Sequence, residues 1–340
     1  MGQGRKRHIL IIRLSALGDV AIAAPLIREY AVKNPGVKFT MVSQKLVEPF
    51  FTGIKNLHFV SVNLKQEGSF RGMLKIARSL LKIKPTEIAD IHNVLRSRVI
   101  RFYMRLHGIP GKVINKNRGG RRRLTRRNNK DLTPLVSSMQ NYENVLVALG
   151  LENQNFSAAP AVYRTNANTG VRRIGIAPFA KHKGKCWPLE EMEEVVAELS
   201  RDPDSKVILF GGGNEETRIL MGWEQKYSNT ESVAGKYSLK EELEIIKGLD
   251  VMVTMDSANM HFASFVRTPV VSVWGATHPS AGFYGWGQKL SDAVQTDLSC
   301  RPCSVYGNKE CYRGDYACLH RVTPRMVIDK IEEVLICQNR

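Results

Sequence analysis

Three short segments gather most of the side chains able to do chemistry, and each follows an apolar run rich in β-branched residues. In Ser15-Ala16-Leu17-Gly18-Asp19, a carboxylate lies where a strand hands over to a helix. Backbone N–H groups and the helix dipole favour an anion at such a place. Asp19 suits either a helix cap or a carboxylate directed at a ligand beyond the strand's carboxyl end. In Lys181-His182-Lys183-Gly184-Lys185-Cys186-Trp187-Pro188, three lysines in a glycine-containing loop suit a diphosphate, or simply a solvated basic loop. Pro188 fits the first position of the helix that follows. In Asp256-Ser257-Ala258-Asn259-Met260-His261, Asp256 or Ser257 can cap a helix, while the N–H groups of Ser257 to Asn259 can donate to a phosphate.

Other patterns exclude more than they assign. Gly211-Gly212-Gly213-Asn214-Glu215 follows a strand but lacks the G-x-G-x-x-G spacing of a dinucleotide fingerprint. Asp202-Pro203-Asp204 is the sole Asp-x-Asp, and it falls between a helix and a strand, where it reads as a turn. Neither a P-loop nor a G-x-S-x-G elbow is present. Cys300, Cys303, Cys311 and Cys318 hold one C-x-x-C, but the second pair is separated by six intervening residues. Structural zinc prefers two close pairs, so these are read as reduced thiols packed in a loop, with zinc the lesser alternative.

The elements that must position these segments alternate strand with helix. Strands are predicted at His8–Leu14, Lys38–Val42, Leu57–Val62 and Glu87–Ile91, and helices at Val20–Val32, Phe70–Leu81 and Tyr142–Leu149, the last closed by Gly150. Pro25 kinks the first helix without ending it. Polar residues 164–169 form the expected linker. The pattern then restarts with strands Arg173–Ala177, Lys206–Phe210, Val251–Thr254 and Val270–Trp274, and helices Leu189–Leu199, Leu239–Lys247, one from Asn259, and Pro324–Ile336. The expected class is α/β, with two Rossmann-like domains facing across a cleft and ligands at the carboxyl ends of parallel strands. Domains are expected at residues 1–165 and 170–325, followed by a helix and tail at 326–340.

Charge divides the chain unequally. It carries +18 overall, yet residues 1–165 hold 29 basic against 9 acidic side chains, a balance of +20. A half so basic draws a polyanion: nucleic acid, an anionic membrane or a phosphorylated acceptor. Its densest stretch, Lys116 to Lys130, includes Arg121, Arg122, Arg123 and Arg126 beside two glycines, and reads as a loop that orders on an anion. With 43% apolar and 24% charged residues, the chain is neither disordered nor disulfide-dense. No apolar run reaches the roughly 18 residues of a membrane span, and Ile9–Ile12 is too short for a signal peptide. The expectation is a soluble intracellular protein.

Ile9 to Val20 (ILIIRLSALGDV) resembles the opening signature of the heptosyltransferases, glycosyltransferase family 9. Lys185-Cys186-Trp187-Pro188 resembles their K-x-W-P element, Asp256 to His261 their D-T-G-x-x-H element, and Val270 to Pro279 their following strand with G-P-T-x-P. The cysteine-rich tail Cys300–Cys318 is also similar to that of many members. The matches stand in order along almost the whole chain. They depart from the pattern at Ser257-Ala258, in place of Thr-Gly, and at Ala276, in place of proline. Ala258 adds a methyl where backbone approaches the donor.

The resemblance implies a GT-B fold, with acceptor in the first domain and nucleotide sugar in the second. It implies inverting transfer of a heptose from ADP-L-glycero-D-manno-heptose to the inner core (Kdo or heptose) of lipopolysaccharide. Asp19 would be the general base and Lys185 would contact the donor diphosphate. Asp256, Ser257, Ala258 and His261 would hold the donor sugar and phosphate, Glu215 the ribose, and Tyr237 the adenine. Ser15, Gly18 and the arginines Arg121, Arg122, Arg123 and Arg126 are assigned to the acceptor. No cofactor is required on this reading, since the ADP-sugar is a substrate. The protein is expected as a monomer, cytoplasmic and peripheral at the anionic inner face of the inner membrane, and not bound to nucleic acid. The alternatives are a non-catalytic nucleotide-sugar-binding homologue, a transferase or epimerase of another nucleotide sugar, and a nucleic-acid-binding protein.

Overall fold

The β-branched runs form strands, and every pairing among the described residues is parallel. The computed structural model describes residues 6–152 and 170–338, so the expected linker at 164–169 lies outside the described residues. By its contacts the chain divides into two units, Met1–Lys116 with Ser138–Ala158, and Asn117–Ser137 with Ala159–Arg340. Residues 117–137 therefore pack with the second unit, whereas the polar stretch at 164–169 leads to the expectation of a continuous domain over 1–165.

Unit 1 contains β1 (His8–Ile12), α1 (Leu17–Lys33), β2 (Lys38–Ser43), β3 (Leu57–Ser61), α2 (Leu64–Glu67), α3 (Phe70–Lys82), β4 (Glu87–Asp90), α4 (Leu95–Leu106) and β5 (Gly111–Val113). Its sheet runs β3-β2-β1-β4-β5. Leu10, Ile12 and Ile88 from the strands meet Met73, Ile76 and Leu80 of α3 and Ile100 and Met104 of α4 in one buried cluster. The helix α3 begins where the Ser69 hydroxyl accepts from the Gly72 N–H at 3.1 Å, a cap worth about 1 kcal/mol. Residues 117–137 carry α5 (Arg118–Leu124), and α6 (Ser138–Val147) returns to unit 1. Gly150 closes α6 at φ +76°, as its position predicted.

Unit 2 continues with β6 (Arg172–Ala177), α7 (Leu189–Ser200), β7 (Ser205–Leu209), α8 (Asn214–Lys226), β8 (Thr230–Ser232), α9 (Leu239–Lys247), β9 (Val251–Met255), α10 (Ala258–Val266), β10 (Val270–Trp274), β11 (Ala293–Gln295), α11 (Ala317–His320) and α12 (Pro324–Gln338). Its sheet runs β11-β10-β9-β6-β7-β8. Ile174, Val207, Val253 and Val273 pack with Val195 and Leu199 of α7 and Val327 and Ile331 of α12. The order in which successive strands are added thus reverses once in each sheet, between β1 and β4 in unit 1 and between β6 and β9 in unit 2. Loops leaving a parallel sheet on either side of such a reversal diverge and leave a crevice, where ligands of this fold class bind.

Candidate active site

In unit 1 the crevice lies between the loops that follow β1 and β4. Arg13 continues β1 as a buried guanidinium, donating to the Ile91 carbonyl at 2.7 Å. It meets the Asp19 carboxylate at 2.5 Å and lies 5.3 Å from the Tyr142 ring centre. Asp19 sits in the first turn of α1, and the Ala16 N–H reaches the same carboxylate oxygen at 3.4 Å. The two roles weighed for Asp19, cap and ligand-facing carboxylate, are therefore compatible. Ser15 and Gly18 border it, half-exposed.

His92, after β4, completes this cluster. Burial, with Arg13 and Lys116 close by, pushes its pKa down to about 3, so the ring is neutral near pH 7. The Leu14 N–H donates to Nδ1 at 3.2 Å, which places the proton on Nε2, 3.5 Å from the Ser15 hydroxyl. The loop carrying His92 is pinned by the buried Asp90, which accepts from the N–H groups of His92 and Asn93 at 3.0 and 2.8 Å and from Arg101 at 2.6 Å. Neither Arg13 nor His92 was picked out from the sequence. An arginine inside an apolar strand run was the available signal.

In unit 2 the corresponding crevice brings together two residues seventy-one positions apart. Lys185 Nζ lies 2.8 Å from Asp256 Oδ2, with both side chains largely buried. The Lys185 loop is held by backbone bonds from Gly184 N–H to the Gly307 carbonyl at 3.2 Å and from Ala276 N–H to the Gly184 carbonyl at 2.8 Å. A Cβ at Gly184 would lie 2.8 Å from the Gly307 carbonyl oxygen, so glycine is required for the close approach. Trp187 anchors the other side, buried with its indole N–H on the Val322 carbonyl at 3.1 Å. Pro188 stands just before α7 as its cap residue, one position earlier than expected. Lys183 lies over the Tyr316 ring at 5.0 Å.

Asp256 is thus an ion-pair partner and not the cap of α10. Ser257 occupies the cap position without capping; its hydroxyl instead meets that of Thr254 at 3.0 Å. The first turn of α10, Ala258 and Asn259, remains half-exposed beside Asp256. His261, expected among the donor contacts, is buried within α10. Glu215 is exposed in the first turn of α8 and Tyr237 is exposed before α9. A recess of about 640 Å³, lined by Asn214, Thr217, Arg218, Gly235 and Lys236 among others, lies close to both in sequence. Within the triple glycine, Gly213 takes φ +83°, and the Gly212 N–H donates to Glu216 at 2.7 Å.

The model of glycosyltransferase family 9 (heptosyltransferase) matches residues 130–312, more than half of the chain. The chain belongs to this family. It is 28% identical over 171 residues to lipooligosaccharide heptosyltransferase 2 of Haemophilus influenzae, covering 48% of this chain and 47% of that one. The chain spans about half the length of the first curated relatives it matches. A family 9 glycosyltransferase from Veillonella parvula superposes with a TM-score of 0.72 at 17% identity, over 98% of this chain and 99% of its own. The heptosyltransferase WaaC of Escherichia coli, solved with ADP, superposes with a TM-score of 0.69 at 18% identity, over 96% and 99%. These likenesses establish the GT-B type of α/β fold that the motifs implied.

One further expectation for this family member is altered by the structure. The arginine-rich stretch is the short helix α5 followed by a strap, and it belongs to unit 2. Asn117 caps α5 by accepting from the Gly120 N–H at 3.1 Å, and Leu124 is fully buried. The Arg121 guanidinium lies 5.1 Å from the Phe283 ring and 5.7 Å from that of Tyr306, whose hydroxyl accepts from it at 2.5 Å. Arg127 covers Tyr312 at 4.4 Å. Arg122, Arg123 and Arg126 remain exposed. Tertiary aromatic contacts have overridden a composition that reads locally as loop.

The cysteine-rich segment is organised around Arg301. This buried guanidinium donates to the carbonyls of Gly275 at 2.5 Å and Thr277 at 3.0 Å, and to the Gln295 side chain at 3.0 Å. Cys300, Cys303 and Cys311 are half-buried free thiols, and Cys318 is buried. Burial pushes the Cys318 thiol up to about 11, away from reactivity. Among the described residues no group of three or more His, Cys, Asp or Glu side chains is arranged to hold a metal ion.

Proposed function

We propose that this chain transfers a heptose from ADP-L-glycero-D-manno-heptose to the inner core of lipopolysaccharide, inverting the anomeric centre. The reading is carried by the Lys185–Asp256 pair at the crevice of unit 2. An ammonium beside a half-exposed helix N-terminus suits a diphosphate, and a buried carboxylate next to it suits sugar hydroxyls. Family membership and the ADP-bound WaaC relative support it.

The reaction is a single in-line displacement. Asp19 accepts the proton of the acceptor hydroxyl as that oxygen attacks the anomeric carbon from the face opposite ADP. The bond between the anomeric carbon and the diphosphate oxygen breaks, and the charge left on ADP is met by Lys185 and the amides of α10. The step as written draws on no cofactor, so chelation of divalent metal leaves its rate unchanged. The acceptor is a phosphorylated glycolipid at an anionic membrane surface, which the +20 of residues 1–165 favours.

The test is ADP release from ADP-heptose, with and without a lipid A–Kdo acceptor, for the native protein and Asp19→Ala. Acceptor-dependent release, lowered by about 10²–10⁴ in the variant, is the expected outcome. Full release by the variant removes Asp19 from the mechanism, and no release by the native protein sends the donor assignment to another nucleotide sugar.

A further inference from the structure

Two neighbouring helices of unit 1 expose side chains that neither the core nor the candidate site uses. On α4, Leu95, Phe102 and Leu106 are 77%, 65% and 68% exposed. At 3.6 residues per turn they fall within about 40° of arc and span about 16 Å along the axis, opposite the buried Ser97, Ile100 and Met104. Arg98 and Arg105 are exposed beside that stripe. On α3, the exposed Arg71, Lys75, Arg78 and Lys82 form a second stripe, opposite the buried Met73, Ile76 and Leu80. The two helices share one core cluster, so the apolar and cationic stripes belong to adjoining surfaces. Neither helix carries an acidic residue.

We propose that this face of α3 and α4 seats unit 1 on an anionic lipid bilayer. Large apolar side chains flanked by cations are what an interfacial helix presents to the headgroup region, with its apolar side sunk about 5–10 Å. Each near-surface cation strengthens binding to anionic lipid about fivefold. Phosphate recognition alone does not require the leucines, which a nucleic acid would leave in water. No helix among the described residues is long and apolar enough to cross a membrane, so attachment by this face is to the surface of a bilayer. The proposal deepens the reading of the acceptor as a membrane glycolipid, and rests on it for its purpose but not for its observations.

The test is co-sedimentation of the full chain with vesicles of phosphatidylcholine alone or with about a third phosphatidylglycerol. Salt-sensitive binding to the anionic vesicles is expected, weakened about tenfold or more in Phe102→Ser/Leu106→Ser and likewise in Lys75→Glu/Arg78→Glu. All these side chains are exposed, and circular dichroism checks that the variants fold. In Phe102→Trp the indole emission shifts to the blue on anionic vesicles and is quenched by brominated acyl chains. Equal binding by the variants, or equal binding to neutral vesicles, overturns the proposal. So does an RNA duplex that binds as tightly and is lost with the same substitutions, or a dimer that dissociates in Phe102→Ser/Leu106→Ser. Turnover of a deacylated, soluble acceptor separates the two readings. Unchanged soluble turnover with weakened vesicle binding supports the surface. Absent turnover in the native protein, with vesicle binding still dependent on the stripe, overturns the transferase reading and leaves the surface standing.

Discussion

The two crevices are built alike and polarised in opposite senses. Besides the Asp90–Arg101 pair that pins the His92 loop, each holds an ion pair at the reversal of a parallel sheet, Arg13–Asp19 in unit 1 and Lys185–Asp256 in unit 2. In unit 1 the cation is the sheltered member, with Arg13 8% and Asp19 28% exposed. In unit 2 the anion is sheltered, with Asp256 5% and Lys185 16% exposed. A pair with one sheltered member presents the other to a ligand. Unit 1 therefore offers a carboxylate, the group that can take a proton, and unit 2 offers an ammonium, the group that can meet a diphosphate. The same fold has been given complementary chemistry by choosing which charge to bury.

The sharpest way to break this comparison is to remove the offered charge from unit 2. Lys185→Met is expected to lower turnover by about 10²–10³, the scale of losing one positioned donor at a charged leaving group. It also leaves Asp256 buried without its cation, at a cost of about 3 kcal/mol in stability. Adding Asp256→Asn removes the stranded charge and recovers most of that stability, while turnover stays low. Denaturant unfolding and ADP release on the single and double variants measure both effects. Recovery of turnover with stability would show that Lys185 serves only to hold Asp256, and the two crevices would no longer be complementary.

A smaller effect sharpens the account of unit 1. His92 has its pKa pushed below the ordinary 6.5 to about 3. The unfolded chain therefore takes up a proton that the folded chain refuses, and the stability from keeping this ring neutral is present above pH 6.5. It is lost as pH falls from about 6.5 towards 3. At two pH units below the unfolded value the loss is on the order of 2–3 kcal/mol. His92→Asn retains an acceptor for the Leu14 N–H and has no such titration. Its unfolding free energy should fall less steeply than that of the native protein between pH 6.5 and 4.5. Parallel slopes would mean that His92 is protonated in the folded protein, and Nδ1 would then not be the acceptor described.

How much of this was legible in the sequence follows from where the determining contacts lie. The strands β1, β9 and β10 are continuous β-branched runs and are visible locally. Asp19 and Asp256 were picked out because each closely follows such a run, and Lys185 because it stands in the basic loop that leaves β6. The surroundings of Asp19 were not: Arg13 reads as strand content, and His92 comes near it only across the sheet, from the loop after β4. Helix α4 was missed because four arginines interrupt its apolar period and it buries only Ser97, Ile100 and Met104. Helix α8 buries Leu220 and Trp223 alone. The strands β8 and β11 are three residues each, too short for alternation to show.

The smallest expected effect concerns α5, where basic composition and actual role diverge within one run of arginines. Arg121 lies against the paired rings of Phe283 and Tyr306, whereas its neighbour Arg122 is exposed. A cation against an aromatic face contributes about 0.5–1 kcal/mol at a partly exposed site, and the bond to the Tyr306 hydroxyl a similar amount. Arg121→Ala should therefore lower stability by about 1 kcal/mol and raise hydrogen exchange across residues 118–124, because the strap is fastened there. Arg122→Ala should change neither. If these arginines act on a phosphorylated acceptor, the roles invert in turnover: Arg122→Ala raises KM for the glycolipid without loosening α5, while Arg121→Ala acts through the loosened helix. Identical exchange profiles for the two variants would show that the Arg121 aromatic contacts do not hold α5 in place, and its attachment to unit 2 would rest on the buried Leu124 and on Arg127 against Tyr312.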